Sequence, residues 1–298
     1  MIIGICSYLP LDDKLRQFRL GRIKKQKEFF DTNLPGIKIY CCAQQYRDED
    51  YLSGIEYIKF EKPIGQSKAR NELLKVFYNS DEDFILLADD DTWLYPYYDC
   101  INYFKDLLED PKPFLKLDLV SGVLPVLGGF KQKIIDNFQA YESNHILTPL
   151  DAKTLAFTLL KNQKKYYGKE YYLSEIKYKG FHEDIDFIIN LFLEGRTLRT
   201  NSTFILNTPF NPGTSTLFND FSERTEGLEK TRKDLIEKYG EDKLFFTQGN
   251  KLDYRALRKR YDKLPEYIII PRKTKMVLTE NLKNIVKRTQ KPEKRGLF

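Results

Sequence analysis

One short segment constrains this chain more than any other. The apolar run Phe84–Ala88 (FILLA) ends abruptly in three aspartates, Asp89, Asp90 and Asp91. A continuous apolar run of this length is typical of a central parallel strand that is buried on both faces. In open α/β sheets ligands bind at the carboxyl ends of the strands, so acids directly after such a strand lie where a ligand sits. The segment therefore predicts both a fold class and the place of a binding site.

The segments on either side alternate between strand and helix patterns, as a doubly wound sheet requires. Apolar runs predict further strands at residues 2–8, 37–43, 55–60, 117–127 and 202–207. Apolar stripes and end signals predict helices at residues 12–32, from Ser67 onward, and at 97–109, 182–194 and 222–239. Residues 166–179, rich in Tyr and Lys, read as strand or loop. We expect an α/β fold with a mostly parallel sheet flanked by helices.

The composition is that of a globular protein, with 41% hydrophobic and 31% charged residues. No run approaches the about 18 consecutive apolar residues that a membrane-spanning helix needs, and the first residues lack the features of a signal peptide. The cysteines, Cys6, Cys41, Cys42 and Cys100, have no CxxC spacing, and we interpret them as small buried residues in a reducing compartment. These observations predict a cytoplasmic protein without a transmembrane segment.

Positive charge is concentrated near the C-terminal end of the sequence. Residues 251–298 hold 15 Lys and Arg against 5 Asp and Glu, whereas the whole chain carries a net charge of only +6. Such a segment favours a polyanion such as nucleic acid, or an anionic membrane surface; a solvated tail that aids solubility is the alternative. We place a domain boundary at residue 220, between an α/β domain (1–220) and a basic, mainly helical extension (221–298).

The three aspartates themselves indicate a cation. Adjacent carboxylates repel one another, and a cluster of them after a buried strand is costly unless a cation compensates. Hard oxygen ligands suit Mg²⁺ or Mn²⁺, which complete their coordination with substrate phosphates. In extended backbone Asp89 and Asp91 lie on the same side and can share a metal-diphosphate group. The alternative is an acidic turn that caps the following segment.

Two predicted helix starts carry the other candidate residues. The segment Ser67–Asn71 opens the helix before the acidic strand, where Arg70 adds a fork of donors to a helix end that already favours anions. The later helix opens with His182, Glu183, Asp184 and Asp186. Acids in a first turn also stabilise the helix dipole, so a purely structural role explains them equally well.

The three clusters together resemble a known family. An N-terminal strand, an Ala-Arg-Asn helix (Ala69, Arg70, Asn71), a strand that ends in Asp-x-Asp and a later Glu-Asp helix resemble the GT-A glycosyltransferases, particularly their family-two-like group. The resemblance covers roughly residues 1–210. It implies a GT-A fold and a metal-dependent enzyme that takes a sugar from a nucleotide-sugar donor. UDP is the commonest carrier in that group, so the resemblance implies a UDP-sugar and Mn²⁺ or Mg²⁺.

The same resemblance implies roles for individual residues around the donor. For the nucleotide it implies Arg70 and Asn71, and we add Lys68, Asp89 and Asp90 beside them as further candidates. For the metal it implies Asp91, with Asp89 placed toward the ribose or the metal. The family pattern gives Asp90 no role of its own.

Other roles concern the acceptor and the third metal ligand. Glu183 or Asp184 faces the acceptor, and we favour Asp184 as catalytic base if the enzyme inverts the anomeric centre, since a base must reach the acceptor hydroxyl. Many GT-A enzymes complete the metal site with a later side chain, often His. The candidates here are His145, His182, Asn207 and Asn211. For His182, contact with metal or acceptor competes with a simple capping role.

The acceptor is suggested by a second similarity. The basic C-terminal residues and the Tyr-, Phe- and Lys-rich composition resemble a small phage protein, and tailed phages related to the T-even group attach sugars to hydroxylated or hydroxymethylated cytosine. This similarity implies an enzyme of the host cytoplasm that glycosylates modified cytosine, or a sugar already on it, in double-stranded DNA. The predicted acceptor and DNA contacts are His182, Arg255, Arg258, Lys259, Arg260, Arg272, Lys273 and Lys275.

Two other functions fit the same residues. A glycosyltransferase that builds a surface polysaccharide or glycolipid would place the basic segment on an anionic membrane. A non-enzymatic nucleic-acid-binding protein would use the aspartates only to cap turns. Against the second alternative, three acids after a buried strand repel DNA in the absence of a metal.

Overall fold

A sheet of ten strands lies at the centre of the part of the chain that the computed structural model describes: residues 1–90, 93–94, 101–123, 144–149, 155–174, 183–207, 221–244, 256 and 267–274. The strands are β1 (Ile2–Tyr8), β2 (Ile39–Gln44), β3 (Glu56–Phe60), β4 (Phe84–Asp89), β5 (Trp93–Leu94), β6 (Leu119–Val123), β7 (Asn144–Pro149), β8 (Phe157–Lys161), β9 (Leu198–Asn207) and β10 (Ile268–Pro271). The helices are α1 (Asp13–Asn33), α2 (Gln66–Tyr78), α3 (Ile101–Glu109), α4 (Gln163–Tyr167), α5 (Glu183–Leu193) and α6 (Phe221–Tyr239).

The strand order is β10-β7-β9-β6-β8-β4-β1-β2-β3, and β5 pairs with β9 beside this path. The half that holds β3, β2, β1 and β4 is entirely parallel. In the other half, β5, β7 and β8 run against the remaining strands of the described sheet. Most strands therefore share one direction. The predicted class, α/β with a mostly parallel sheet flanked by helices, is confirmed.

The acidic strand β4 is buried on both faces, as its apolar run predicts. Leu86 and Ala88 pack on the side of α1 and α3, whereas Ile85 and Leu87 pack on the side of α2, α5 and α6. Successive side chains of a strand point to opposite faces, and both faces of this sheet are covered. Complete burial of a side chain such as Leu86 contributes about 1.5–3 kcal/mol. This burial fixes the end of β4, where the acids begin.

The conformation of the residues at the N-terminus of helix α2 directs the helix toward the end of β4. Gly65 has a φ of 85°, a conformation that favours glycine, and its carbonyl oxygen accepts the hydrogen bond of Ala69 N at 3.1 Å. Along α2, Leu73 and Phe77 are buried beneath the sheet. The helix predicted from Ser67 thus begins at Gln66. None of the described helices is long and apolar enough to cross a membrane.

Several elements differ from the sequence-based expectation. Strands β5, β7, β8 and β10 were not predicted, and β9 begins at Leu198 rather than at residue 202. Residues 163–167 form the short helix α4 where we expected strand or loop from residue 166. The predicted helix of the C-terminal extension is present as α6, but the same segment also contains β10, which pairs antiparallel with β7. The boundary at residue 220 stays a prediction.

Candidate functional site

The end of β4 is held firmly by its neighbours. Asp89 pairs in register with Cys6 of β1, and its backbone N–H donates to the carbonyl oxygen of Ala156 at 2.9 Å. Its own carbonyl oxygen accepts a hydrogen bond from Gln26 Nε2 at 2.8 Å. The Asp89 carboxylate therefore starts from a fixed backbone position at the carboxyl end of the parallel strands.

Arg70 joins this carboxylate to a second one. Its Nη2 donates to Asp89 Oδ1 at 2.9 Å and to Oδ2 at 3.1 Å, while its Nη1 donates to Asp184 Oδ1 at 2.8 Å. The Arg70 side chain is only 2% exposed. Residues predicted from three separate segments, in α2, β4 and α5, thus meet at one point. We call Arg70, Asp89 and Asp184 the site cluster.

Asp184 is fixed through both of its carboxylate oxygens. Oδ1 is bound by Arg70, and Oδ2 accepts the backbone N–H of Leu155 at 2.8 Å. The side chain nevertheless stays 16% exposed, as does that of Asp89. A carboxylate with fixed orientation and some remaining access can meet a ligand or an acceptor hydroxyl.

Two contributors to the site cluster were missed by the sequence reasoning. Gln66 Nε2 donates to Asp89 Oδ2 at 3.0 Å. Gln66 and Arg70 lie four residues apart in one helix and so share a face, a signal that was readable in the sequence. The N–H of Leu155 gave no such signal, because any residue supplies a backbone donor.

Asp90 is directed away from the site cluster. Its Oδ2 accepts hydrogen bonds from Ser7 Oγ at 2.8 Å and from the backbone N–H of Tyr8 at 3.2 Å, and Arg19 lies 3.5 Å from the same oxygen. Asp90 is buried. These contacts tie the end of β4 to the end of β1, and the predicted nucleotide contact of Asp90 stays a prediction.

The thiol nearest to the site cluster is not poised as a nucleophile. Cys6 is buried beside Asp89. Burial raises the pKa of Cys6 well above its ordinary value, and the negative charge of Asp89 raises this pKa further. Because the thiolate is the nucleophilic form, thiol chemistry is not expected at this place.

The other two residues predicted near the nucleotide lie apart from the cluster. The Asn71 side-chain amide donates to the carbonyl oxygen of Leu173 at 2.9 Å, and its Oδ1 accepts the N–H of Leu173 at 2.8 Å. Asn71 is buried and fastens the segment around Leu173 to α2. Lys68 is exposed in the first turn of α2. Their predicted roles stay predictions.

Several predicted residues fall outside the described part of the chain. They are Asp91, His182, Asn211, Arg255, Arg258, Lys259, Arg260 and Lys275. Glu183 is described as the first residue of α5, and Asn207 ends β9, where it pairs with Trp93. The predicted metal ligand Asp91 thus follows the end of β4 by two positions, and its role stays a prediction.

His145 and Lys273 belong to a second buried cluster. His145 Nε2 donates to Asp106 Oδ2 at 2.7 Å, and both side chains are buried. The backbone N–H groups of Lys273 and Thr274 donate to Asp106 at 3.0 and 2.9 Å. We call Asp106, His145, Lys273 and Thr274 the C-terminal cluster. Its contacts fasten the segment after β10 to α3 and β7.

These contacts bear on two predictions. The described hydrogen bond of His145, a candidate metal ligand, goes to Asp106. The ammonium of Lys273, a predicted DNA contact, donates to Asp110 Oδ2 at 3.0 Å. Arg272 lies close enough for its charge to contribute to lowering the pKa of His145, after the larger effect of burial. The described basic residues of this segment therefore act on neighbours within the chain.

The site cluster fits a divalent cation in the kind of donor that it offers. Asp89 and Asp184 supply hard carboxylate oxygens, and both pair with Arg70. Among the residues that the structure describes, no group of three or more His, Cys, Asp or Glu side chains converges on one point. Asp91 lies outside the described residues, so the predicted metal site of Asp91 with Asp89 stays a prediction.

Comparison with other proteins gave similarities in structure alone. Neither the family models nor the curated proteins with which the sequence was compared give a match. The backbone is similar to S. aureus TarS 1–349 in complex with UDP-GlcNAc, with 15% identity, a TM-score of 0.46 and coverage of 79% of this chain and 67% of that one. It is also similar to the Pyrobaculum calidifontis mannosyltransferase PcManGT in complex with GDP-Man and Mn²⁺, with 11% identity and a TM-score of 0.46.

A third similar structure is the Mycobacterium tuberculosis glucosyl-3-phosphoglycerate synthase in complex with Mn²⁺, UDP-glucose and phosphoglyceric acid. The identity is 13%, the TM-score 0.46, and the match covers 80% of this chain and 79% of that one. The match covers 79% of this chain but 64% of the mannosyltransferase, less than two thirds of its length. These are likenesses in the course of the backbone, so the function proposed below depends on the side chains of this chain.

Proposed function

We propose that the chain is a metal-dependent glycosyltransferase of the GT-A type that takes a sugar from a UDP-sugar. The observation that supports this proposal most is the site cluster. Arg70 binds Asp89 and Asp184 at 2.8 to 3.1 Å, so the three segments with GT-A-like motifs meet at the carboxyl ends of the strands. Ligands of α/β sheets bind at that edge.

The predicted residues suit the two ends of such a reaction. Mn²⁺ or Mg²⁺, held by Asp91 with Asp89, would supply charge neutralisation for the departing nucleotide diphosphate. Asp184, oriented by Arg70 and by the N–H of Leu155, accepts the proton of the acceptor hydroxyl if the reaction inverts the anomeric centre. Lys68 is exposed at the start of α2, where the helix end favours the phosphates of the donor.

We further propose that the acceptor is a hydroxylated or hydroxymethylated cytosine in phage DNA, or a sugar already attached to it. The support is the charge of residues 251–298, with 15 basic against 5 acidic residues. A segment of this charge attracts the phosphates of double-stranded DNA by releasing condensed counterions. The host cytoplasm is the corresponding location.

The test is release of UDP from UDP-glucose and UDP-arabinose in the presence of Mn²⁺, with DNA that contains hydroxymethylcytosine and with unmodified DNA. We expect turnover that depends on the modified DNA and is lost in Asp91→Asn. Asp31→Asn is the matched control, since Asp31 is an exposed carboxylate that pairs with Lys27 on α1. It is expected to turn over like the wild type.

The other outcomes are equally decisive. Turnover that ignores DNA but responds to a lipid-linked or polysaccharide acceptor would replace the DNA acceptor and keep the glycosyltransferase. Absence of turnover and of UDP binding with every donor would reject the enzyme and favour a nucleic-acid-binding protein.

A further inference from the structure

We infer that Arg70 is a positioning residue, which holds the carboxylate of Asp184 in place relative to the end of β4, and that it does not bind the donor nucleotide. This inference rests on the proposed function, because it concerns the same site. It also differs from the role that the family resemblance implies for Arg70, which is contact with the nucleotide. The reasons lie in the burial, the geometry and the charge of the site cluster.

Arg70 is more deeply buried than the two carboxylates that it binds. Its side chain is 2% exposed, whereas the two carboxylates that it binds are each 16% exposed. A ligand that approaches the end of the sheet therefore meets the carboxylates before it meets the guanidinium. Both Nη atoms of Arg70 already donate to these carboxylates. A donor phosphate at Arg70 would compete with these carboxylates for a buried guanidinium.

The guanidinium of Arg70 links two segments that lie far apart in the sequence. Asp89 follows a buried strand whose backbone is fixed by Gln26 and Ala156. Asp184 lies in the first turn of α5, in a segment 95 positions further along the chain. A planar fork of donors bridges two carboxylates in one geometry, which a single ammonium cannot reproduce. Arg70 thus holds the carboxylate of Asp184 at a fixed position relative to the end of β4.

The negative charges of Asp89 and Asp184 also make the position of Asp184 dependent on Arg70. Asp89 and Asp184 both bind Arg70 at 2.8 to 3.1 Å, so two negative charges lie within reach of one guanidinium. Without the guanidinium the two carboxylates repel, and the N–H of Leu155 is the remaining described contact that orients Asp184. We therefore expect Asp184 to move when Arg70 is replaced, although Asp184 itself is still present.

The test separates positioning from nucleotide binding through kinetics. We expect Arg70→Lys to lower kcat about 100-fold, the effect of a small displacement of a reacting group, with donor KM and UDP affinity close to those of the wild type. In Arg70→Ala, added guanidinium ion should restore part of kcat, whereas methylammonium should not. In the Asp184→Asn background, Arg70→Lys should lower kcat no further, because Arg70 acts through Asp184. Lys75→Gln, on the same helix, is the control.

The contrary results are specific. A raised donor KM with an unchanged kcat would show that Arg70 binds the donor, and an equal loss of kcat in the Asp184→Asn background would show that Arg70 does not act through Asp184; either result overturns the inference. A crystal structure of the wild-type protein with UDP and Mn²⁺ decides the matter even if both variants fail to fold. Arg70 on Asp89 and Asp184 supports the inference, and Arg70 on the nucleotide overturns it. A wild type that neither binds UDP nor turns over a donor would instead reject the proposed function.

Discussion

Two clusters built on carboxylates hold distant segments of this chain together, and they differ in how completely the carboxylate charge is enclosed. In the C-terminal cluster Asp106 is buried and accepts hydrogen bonds from His145 and from two backbone N–H groups. In the site cluster Asp89 and Asp184 share one guanidinium and stay partly exposed. An enclosed and satisfied acid fastens the chain, whereas acids that stay partly exposed can still meet a ligand.

The same contrast appears within a single helix turn of α5. Asp184 belongs to the site cluster, but Asp186, two positions later, is buried and binds the ammonium of Lys238 at 3.0 Å and the hydroxyl of Tyr239 at 2.7 Å. Ser174 also donates to Asp186. Asp186 thus anchors α5 to the end of α6. Neighbouring acids with the same sequence signature therefore serve different purposes.

The largest effect should separate these two neighbours. Asp184→Asn should lower kcat by about 10²- to 10⁴-fold, the range of a lost general base, with little change in the thermal unfolding midpoint. Asp186→Asn should lower the thermal unfolding midpoint with little change in kcat, because it weakens the contacts between α5 and α6. Steady-state UDP release and thermal unfolding of both variants make the comparison. If Asp186→Asn loses more activity than Asp184→Asn, the distinction between them is wrong.

The next effect concerns stability. Asp106→Ala leaves His145 and two backbone N–H groups without their acceptor, and we expect a loss of about 3–5 kcal/mol in the free energy of unfolding. Urea unfolding measures it. Asp110→Asn, which removes an exposed partner of the Lys273 ammonium, is the matched control and should change much less. Equal losses would mean that the C-terminal cluster is not the main attachment of the β10 segment.

The smallest effect is a dependence on pH. Burial lowers the pKa of His145, more than the hydrogen bond to Asp106 raises it. In the unfolded chain, His145 has a pKa of about 6.5 and is protonated below that pH, whereas in the folded chain it stays neutral to a lower pH. The free energy of unfolding therefore falls as the pH falls. Urea unfolding at several pH values between about 7 and 5 should show a flatter dependence for His145→Gln than for the wild type. An equally steep dependence would assign the titration to another group.

Asp106 adds to this loss at lower pH. Burial raises the pKa of Asp106, but hydrogen bonds from Thr274, His145 and the backbone outweigh burial and hold this pKa below its ordinary value. Its contribution is present above the unfolded pKa of about 3.9 and is lost as the pH falls through the folded pKa.

The parallel half of the fold could be predicted from the sequence, because its strands are marked by strong local patterns. The run that leads to Asp89 and the helix that begins at Glu183 both appear where the periodicity places them. In the other half, β6 and β9 were predicted, but strands that run antiparallel to them were missed for physical reasons. Strand β7 ends in Pro149, and β8 is a short apolar run that periodicity does not distinguish from a helix.

The site could be predicted only as a set of residues. The position of Asp89 at this edge follows from the rule for α/β sheets, whereas that of Asp184 was expected only from the family resemblance. That Arg70 binds both carboxylates, and that Asn71 binds Leu173 instead, depends on how α2 packs against segments far away in the sequence. No local pattern contains that information.

The place of β10 in the sheet has a consequence for how the protein forms during synthesis. The strands β1 to β4 are complete within the first 89 residues. They therefore emerge from the ribosome early and can associate while translation continues. The edge of β7, in contrast, waits for Ile268–Pro271, more than a hundred residues later. Until then β7 presents an unpaired edge that can recruit other chains. Slow translation of the intervening segment should therefore raise aggregation of the nascent protein.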